Sequence, residues 1–417
     1  MSVQEFLDLF FNQTATNIGE TYSALSFGAS YWVPFLFIVS FLILWKRYVQ
    51  SYFLSKLSWT VLEIKIPREI IKSPIAMELV LNAMHQPSTG TWLDQWWKGK
   101  LPVWYSLEIA SLEGRIHFFI YTQRFYVPLL ESQIYAQFPE VEVHEVDDYT
   151  KHVNYGSEKS PWDLHGYEFK LDKEDAYPIK TYIEYELDKD RKDQKQHIDP
   201  LVSLLELMGS IGKDEQIWVQ IPIQGAQKRF TKKGTRFKKE DWTGPGKELV
   251  KKLRASDAKP KEGVVYSATK LLSPGEEQLV KAIERGLSKM GFDCGMRIIY
   301  LAKRDSFRDI YKAALAGIVK QFNAVDRNGF KPNGDFNTDF DYPWQDFRKI
   351  RLSRRKRHIF NAYRMRSYFY PPYARKPFTL SSEELATIFH FPGAAAETPS
   401  FTRIPSKTAE PPANLPS

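Results

Sequence analysis

Cysteine is all but missing: Cys294 stands alone among 417 residues, so no disulfide framework can form and a reducing compartment is implied for the body of the chain. No Gly-x-x-x-x-Gly-Lys-Ser/Thr loop occurs, and Gly244-Pro-Gly-Lys-Glu lacks both the spacing and the hydroxyl, which argues against an intact nucleotide-hydrolysing site. The eight histidines are scattered, with no pair at the i, i+4 spacing of a helical zinc site. Asp147-Asp148, with His144 and Glu145 nearby, comes nearest to an acid–base or metal cluster and reads as a solvated strand end. Cys294, at a strand start beside Gly295, reads as a core residue. No catalytic, cofactor-binding or metal-ligating residue is therefore expected, and no cofactor.

Charge is absent from Ala24–Trp45 (ALSFGASYWVPFLFIVSFLILW). At about 1.5 Å per residue these 22 residues reach roughly 33 Å, enough to cross a hydrocarbon core of about 30 Å. Residues 1–23 contain Glu5, Asp8 and Glu20 but no Lys or Arg, whereas Lys46 and Arg47 follow the apolar run at once. The sequence thus predicts one membrane span with its N-terminus outside, a cytoplasmic C-terminal body, and Trp32, Trp45, Lys46 and Arg47 at the membrane interface.

What is abundant is positive charge in two places. Residues 225–262 carry thirteen Lys/Arg against five Asp/Glu, and residues 347–376 carry eleven Lys/Arg and no acid. The whole chain is only +8, so the remainder is strongly acidic. The first patch offers Lys228, Arg229, Lys232, Lys233, Arg236, Lys238 and Lys239. The second offers Arg348, Lys349, Arg351, Arg354, Arg355, Lys356, Arg357, Arg364 and Arg366, interleaved with Phe347, Phe360, Tyr363, Tyr368, Phe369 and Tyr370. Arginine forks fit phosphate oxygens and aromatic rings stack on bases or enter headgroups, so DNA, anionic lipid and an acidic protein surface all fit as contacts.

The pattern after the span is mixed. Trp59–Pro67 alternates as a strand, Ile75–His85 as a helix after a Ser73-Pro74 cap, and Val103–Leu112 and Arg115–Thr122 as a hairpin turned at Glu113-Gly114. Pro128–Phe138 reads as a helix and Val141–Val146 as a strand, completing β-α-β-β-α-β, the split βαβ or ferredoxin-like order. A second unit is read as strand Thr181–Leu187, helix Pro200–Gly209, strand Gln216–Ile223, helix Pro274–Met290 and strand Asp293–Lys303. A largely mobile basic insertion, residues 225–272, interrupts it with one short helix near Lys247–Leu253. Helix Ser306–Asn323, a basic, partly helical region around Arg348–Ala362, a capped helix Leu380–Phe389 and a Pro-rich tail from 392 follow. The expected class is α+β: one transmembrane helix (24–45), two ferredoxin-like domains (56–150 and 165–304), a helical basic/aromatic region (305–391) and a flexible tail (392–417).

Two runs, Tyr105-Ser-Leu-Glu-Ile-Ala-Ser-Leu-Glu-Gly-Arg-Ile-His-Phe-Phe-Ile and Leu130-Glu-Ser-Gln-Ile-Tyr-Ala-Gln-Phe-Pro-Glu-Val-Glu-Val, resemble the N-terminal, membrane-linked region of bacterial type IV secretion and conjugation ATPases of the HerA–FtsK class. Leu380-Ser-Ser-Glu-Glu-Leu-Ala-Thr-Ile-Phe-His-Phe-Pro-Gly, with Glu410-Pro-Pro-Ala-Asn-Leu-Pro, resembles the stretch leading into the motor domain. The similarity spans roughly residues 59–417 and no Walker-type domain follows. It implies a non-catalytic accessory subunit in a bacterial inner membrane, docking a separately encoded ATPase; DNA, through the basic patches, and a second copy of the chain are further candidate partners. The alternative is a membrane-tethered nucleic-acid- or anionic-lipid-binding protein that acts without a motor. In either case Trp92, Trp96 and Trp97 are candidate protein contacts, with core packing or membrane contact as the plainer reading.

Overall fold

The computed structural model describes residues 3–67, 72–155, 160–189, 198–236, 238–254, 272–334, 338, 340 and 342–393. The chain divides into two units, one formed by Met1–Leu57 with Thr89–Leu101 and the other by Ser58–Ser88 with Pro102–Ser417.

The first unit is built on α1 (Val3–Lys56), a continuous helix that carries Pro34 in its interior. The apolar run begun at Ala24 in the sequence thus belongs to a longer helix. Its stretch Trp32–Lys56 has mean hydropathy 1.5 over the most apolar window, only 6% of which is buried, and is long and apolar enough to cross a membrane. Apolar side chains such as Phe35, Phe37, Phe41 and Leu44 face outward on all sides, the reverse of a core helix. The unit's other helix, α2 (Trp92–Trp96), opens with a reciprocal cap between Thr91 and Asp94.

The second unit is a mixed α+β body around a large antiparallel sheet. In chain order come β1 (Trp59–Lys65), α3 (Pro74–Met84), β2 (Trp104–Leu112), β3 (Arg115–Gln123), α4 (Val127–Gln137) and β4 (Glu142–Val146). Next are β5 (Trp162–Leu171), α5 (Pro200–Gly209), β6 (Glu215–Gly225), the two-residue strands β7 (Phe230–Thr231) and β8 (Lys239–Glu240), and α6 (Thr243–Arg254). After them come α7 (Pro274–Leu287), β9 (Gly291–Cys294), β10 (Met296–Lys303), α8 (Ile310–Ile318), β11 (Phe330–Pro332), α9 (Ile350–Arg364), β12 (Phe378–Ser381) and α10 (Ser382–Ile388).

The main strand order is β11-β5-β10-β6-β2-β3-β1-β4, with β9 bridging β6 and β12. Two separate sheets were expected. Instead β2 and β6 pair along their whole length, from Trp104 opposite Gln224 to Leu112 opposite Gln216, and fuse the halves. Each half repeats one order in mirror sequence: β4-β1-β3-β2 on one side and β11-β5-β10-β6 on the other.

Both faces of the sheet are covered, which is why β2 is buried almost end to end. On one face Leu107, Ile109, Phe118, Ile120, Val219, Ile221, Ile298 and Tyr300 pack with α3, α4, α5, α8 and α10 in a common core. Each such side chain contributes roughly 1.5–3 kcal/mol by leaving water. On the other face Ala110, Phe119, Trp218, Ile299 and Leu301 pack with Ile359, Phe360 and Tyr363 of α9.

Several expectations need correction. Thr181–Leu187 is a run of turns, not a strand, closed by local bonds such as Glu184 N–H to Thr181 O at 3.0 Å. The first strand of that half is β5, upstream of it. Asp293–Lys303 is split into β9 and β10 at Gly295, where the Tyr368 ring occupies the space a Cβ would need. Ser306–Asn323 is helical only over α8, followed by a short 3-10 turn at Val319–Phe322. The basic insertion contains the β7–β8 hairpin as well as the expected helix, which is α6; residues 255–271 lie outside the described residues. The expected tail lies outside them from residue 394 onward.

Candidate functional site

A single row of residues crosses the sheet on the face beneath α9. Glu63 lies opposite Phe119, Phe119 opposite Glu108, Glu108 opposite Gln220, Gln220 opposite Arg297, and Arg297 opposite Glu168. Charges in mid-strand cannot remain unpaired at this depth. Glu108 accepts hydrogen bonds from Ser106 Oγ (2.7 Å), Tyr149 OH (2.8 Å) and Gln220 Nε2 (2.9 Å). Arg297 donates to Glu168 Oε1 (2.9 Å), Gln220 Oε1 (3.0 Å) and the carbonyls of Ala362 (3.0 Å) and Ser367 (2.7 Å).

The segment after α9 completes this network. Arg366 is 1% exposed and forks onto Glu108 at 3.0 and 3.1 Å while also holding Asp148. Arg375 donates to the second Glu168 oxygen at 2.9 Å. Burial would push the Asp148 carboxyl up, but the Arg366 guanidinium and the Thr150 hydrogen bonds outweigh it and hold it below the ordinary carboxylate value. Burial drives the Tyr149 and Tyr363 phenols, 2.8 Å apart, far above theirs.

These positions sort the expected contact residues. Arg366 faces the core and is not a surface contact, because two carboxylates claim its guanidinium inside the body. Lys356 is mostly buried and pairs with Asp163 at 2.6 Å. Arg355 is half-buried over the Phe340 ring at 4.4 Å. Arg229 is held by Asp175 at 2.8 Å and by Pro377 O and Thr379 Oγ1, so it ties the insertion to the body. Burial raises the Asp175 and Asp293 carboxyls despite this cation.

The remainder point outward. Arg348, Lys349, Arg351, Arg354, Arg357 and Arg364 are exposed: helical spacing puts Arg354 on the α9 side opposite buried Ile359 and Tyr363, with Arg357 and Arg364 on the flank, where the Arg364 guanidinium lies 5.6 Å from the centre of the Phe360 ring. Beside them Phe347 is 82% exposed and Trp344 63%, with Trp344 stacked on Tyr342 at 4.5 Å. Lys228, Lys232, Lys233, Arg236, Lys238 and Lys239 are exposed around the β7–β8 hairpin, which turns at Gly234 with φ +78°. In the first unit Trp32, Lys46 and Arg47 are exposed and Trp45 is half-buried.

The acidic cluster singled out in the sequence is dispersed among partners. His144 contacts Glu142 at 3.2 Å, Glu145 is bonded by Arg124, and Asp148 is taken by Arg366. Sequence reasoning missed a cleft of about 520 Å³ there, lined by Trp59, Tyr121, Arg124, Glu145, Asp147 and Lys151 among others, in which Trp59 and Tyr121 stack at 5.1 Å. Among the described residues no three His, Cys, Asp or Glu side chains come together as a metal set. Cys294 is fully buried, and burial pushes its thiol well up, away from the reactive thiolate form.

Further buried pairs fix α10. Glu383 accepts from Thr181 Oγ1 at 2.6 Å and from Arg285 Nε at 3.0 Å, Glu78 accepts from Ser382 Oγ at 3.0 Å, and His390 meets Asp199 at 3.1 Å. Burial lifts the Glu384 carboxyl to about 7. The arrangement sets exposed Lys and Arg side chains on the surface and buried, mutually satisfied ion pairs beneath. No curated protein matches this chain. Residues 54–403 match the model of a family described as a domain of unknown function, DUF8128, and the chain belongs to that family.

Proposed function

We propose that this protein is a single-pass, membrane-anchored accessory subunit of a type IV secretion or DNA-transfer assembly. It holds a separately encoded ATPase of the HerA–FtsK class at the cytoplasmic face of a bacterial inner membrane. The observation that carries the reading is α1, whose apolar surface is exposed on every side over a length that fits a bilayer. Lys46 and Arg47 at the end of the uncharged run, with no Lys or Arg in residues 1–23, favour a cytoplasmic body. The repeated strand order supports treating each half of the sheet as a split βαβ unit. The resemblance of the runs from Tyr105 and Leu130 to the membrane-linked region of these motors, and of the run from Leu380 to the stretch leading into the motor domain, supplies the partner class.

The work assigned to the body is positional. A charge-locked sheet keeps α9 rigid and presents Arg354, Arg357 and Arg364 outward, where they meet acidic motor surfaces. The exposed arginines beside Phe347 and Trp344 favour a second reading, direct binding of DNA without a motor.

One experiment separates the two. The full chain is purified in detergent with the HerA–FtsK-class ATPase of a neighbouring reading frame, and duplex DNA is titrated against it at rising salt. A stable complex that Arg354→Glu/Arg357→Glu disrupts supports the accessory role. Absence of any complex, together with a log–log salt slope of about −0.9 per phosphate contacted, overturns it in favour of DNA binding.

A further inference from the structure

Residues 89–101 form a compact feature on the flank of α1 that the anchoring role alone does not explain. The uncharged run of α1 stops at Trp45, and that residue receives the loop. Trp45 Nε1 donates to the Trp96 carbonyl at 3.1 Å, its ring meets Trp97 edge-on at 5.6 Å, and the Lys46 ammonium lies 5.4 Å from the centre of the Trp96 ring. One turn further on, the backbone of Val49 comes so close to Gly99 that a Cβ has no room there, and Gly99 adopts φ +66°, which glycine alone takes without strain. The loop is therefore clamped at the level where α1 changes from apolar to basic.

The clamped loop is itself two-faced. In α2 and the residue after it, Trp92, Leu93, Trp96 and Trp97 share one side at i, i+1, i+4 and i+5, while Asp94 and Lys98 pair at 2.7 Å on the other. The apolar side is left open: Trp92 is 65% exposed, Leu93 57% and Trp97 63%. Through Trp45, which meets Trp97 and stacks on exposed Phe41 at 6.2 Å, it joins the exposed apolar surface of α1. Around it Arg47, Lys98 and Lys100 are exposed cations.

We propose that residues 89–101 are an interfacial foot: α2 lies in the headgroup–acyl boundary of the leaflet where α1 emerges, with Trp92, Leu93 and Trp97 in the lipid and Lys98 and Lys100 among anionic headgroups. This rests on reading α1 as the membrane span. The occupant is lipid because the open face is continuous with the lipid-facing surface of α1, sits at the level where indole rings prefer to lie, and is bordered by the charge that anionic headgroups attract. The foot makes the anchor two-point, so the basic end of α1 can neither slide along the bilayer normal nor rotate freely.

The test uses the full chain in vesicles of phosphatidylcholine and phosphatidylglycerol. Single cysteines at Leu93→Cys, Ile38→Cys and Lys151→Cys, each in a Cys294→Ala background, carry an environment-sensitive fluorophore. Lipids bearing a doxyl group near the headgroup serve as quenchers. The expected result is blue-shifted, strongly quenched emission at 93, apolar emission at 38 and water-like, unquenched emission at 151. Adding Gly99→Ala should remove the quenching at 93 and leave 38 unchanged. Apolar emission at 38 with water-like emission at 93 overturns the foot while sparing the span. Blue-shifted but unquenched emission at 93 shows a protein surface or second copy as the occupant and also overturns it. Water-like emission at 38 defeats the span itself.

Discussion

Replacing Arg366 by alanine should unlock the sheet from the segment that covers it. The guanidinium holds Glu108 through two bonds, at 3.0 and 3.1 Å, holds Asp148 as well, and caps the Arg364 carbonyl at 3.0 Å. Its removal leaves Glu108, itself fully buried, facing a cavity with only neutral donors. Stripping one partner from a buried ion pair costs about 3–5 kcal/mol. An exposed arginine on the outward face of α9, such as Arg354, should cost within about 0.5 kcal/mol when replaced by alanine. Urea unfolding of the detergent-solubilised full chain can be followed by tryptophan emission, to which Trp218, 5.3 Å from Tyr149 and 5.2 Å from Tyr363, contributes from the affected site. A double-mutant cycle with Glu108→Gln should return a coupling of about 0.5–3 kcal/mol. The acid limb gives an independent check. The folded Asp148 carboxyl lies below its unfolded value of about 3.9, so its contribution is present above that pH and is lost as pH falls through the folded value. Arg366→Ala removes the cation responsible, and that part of the acid limb should vanish. If Arg366→Ala unfolds within about 1 kcal/mol of Arg354→Ala, the network is not what fastens α9 and the argument fails.

The opposite sign is expected at His390. Burial alone would lower its pKa, but the Asp199 carboxylate and the Ala386 carbonyl raise it above the ordinary histidine value. Its stabilisation is therefore complete below about pH 6.5 and disappears as pH rises through the folded value, so thermal melts should weaken on the alkaline side and His390→Gln should flatten that slope. An unchanged slope in the variant would contradict the pairing. Gly295→Ala should cost about 1–3 kcal/mol by overpacking against the Tyr368 ring, read from the same urea curves, and Tyr368→Leu should recover part of the loss. A neutral Gly295→Ala would mean that the ring moves aside without cost.

Much of the first half of the body was legible because its local signals agree. Ser73 caps α3 with Pro74 in its first turn, Glu113-Gly114 supplies the positive φ values of the hairpin, and apolar residues alternate on β1 and β3. The second half was read less well because its strands depart from alternation for tertiary reasons. β5 (WDLHGYEFKL) contains Gly166, where Ile359 of α9 presses close, and Glu168, which exists to meet Arg297. Thr181–Leu187 alternates convincingly, yet its polar groups are spent on α10 and α3: Thr181 on Glu383, Tyr182 OH on Glu78, and the Tyr182 N–H on Thr387. The basic run at 347–376 showed its charge but not its division of labour. Only partners more than two hundred residues away distinguish Arg366 from Arg364. A hint was present all the same: Glu108, Gln220 and Arg297 each sit in mid-strand between two apolar neighbours, and such residues need one another.

The closing role of the last segment has a consequence for how the chain is made. Ser382 of α10 bonds Glu78 across 304 residues of sequence, and Arg366 bonds Glu108 across 258. At a synthesis rate of about 5–20 residues per second, the Glu78 helix emerges roughly 15–60 s before its partner. Throughout that interval the α9 face of the growing sheet lies uncovered and the other face lacks α10. A nascent body of this kind depends on a chaperone or on its own slow collapse until the final stretch arrives, and a premature stop before α9 would leave an aggregation-prone sheet with one face bare rather than a smaller working protein.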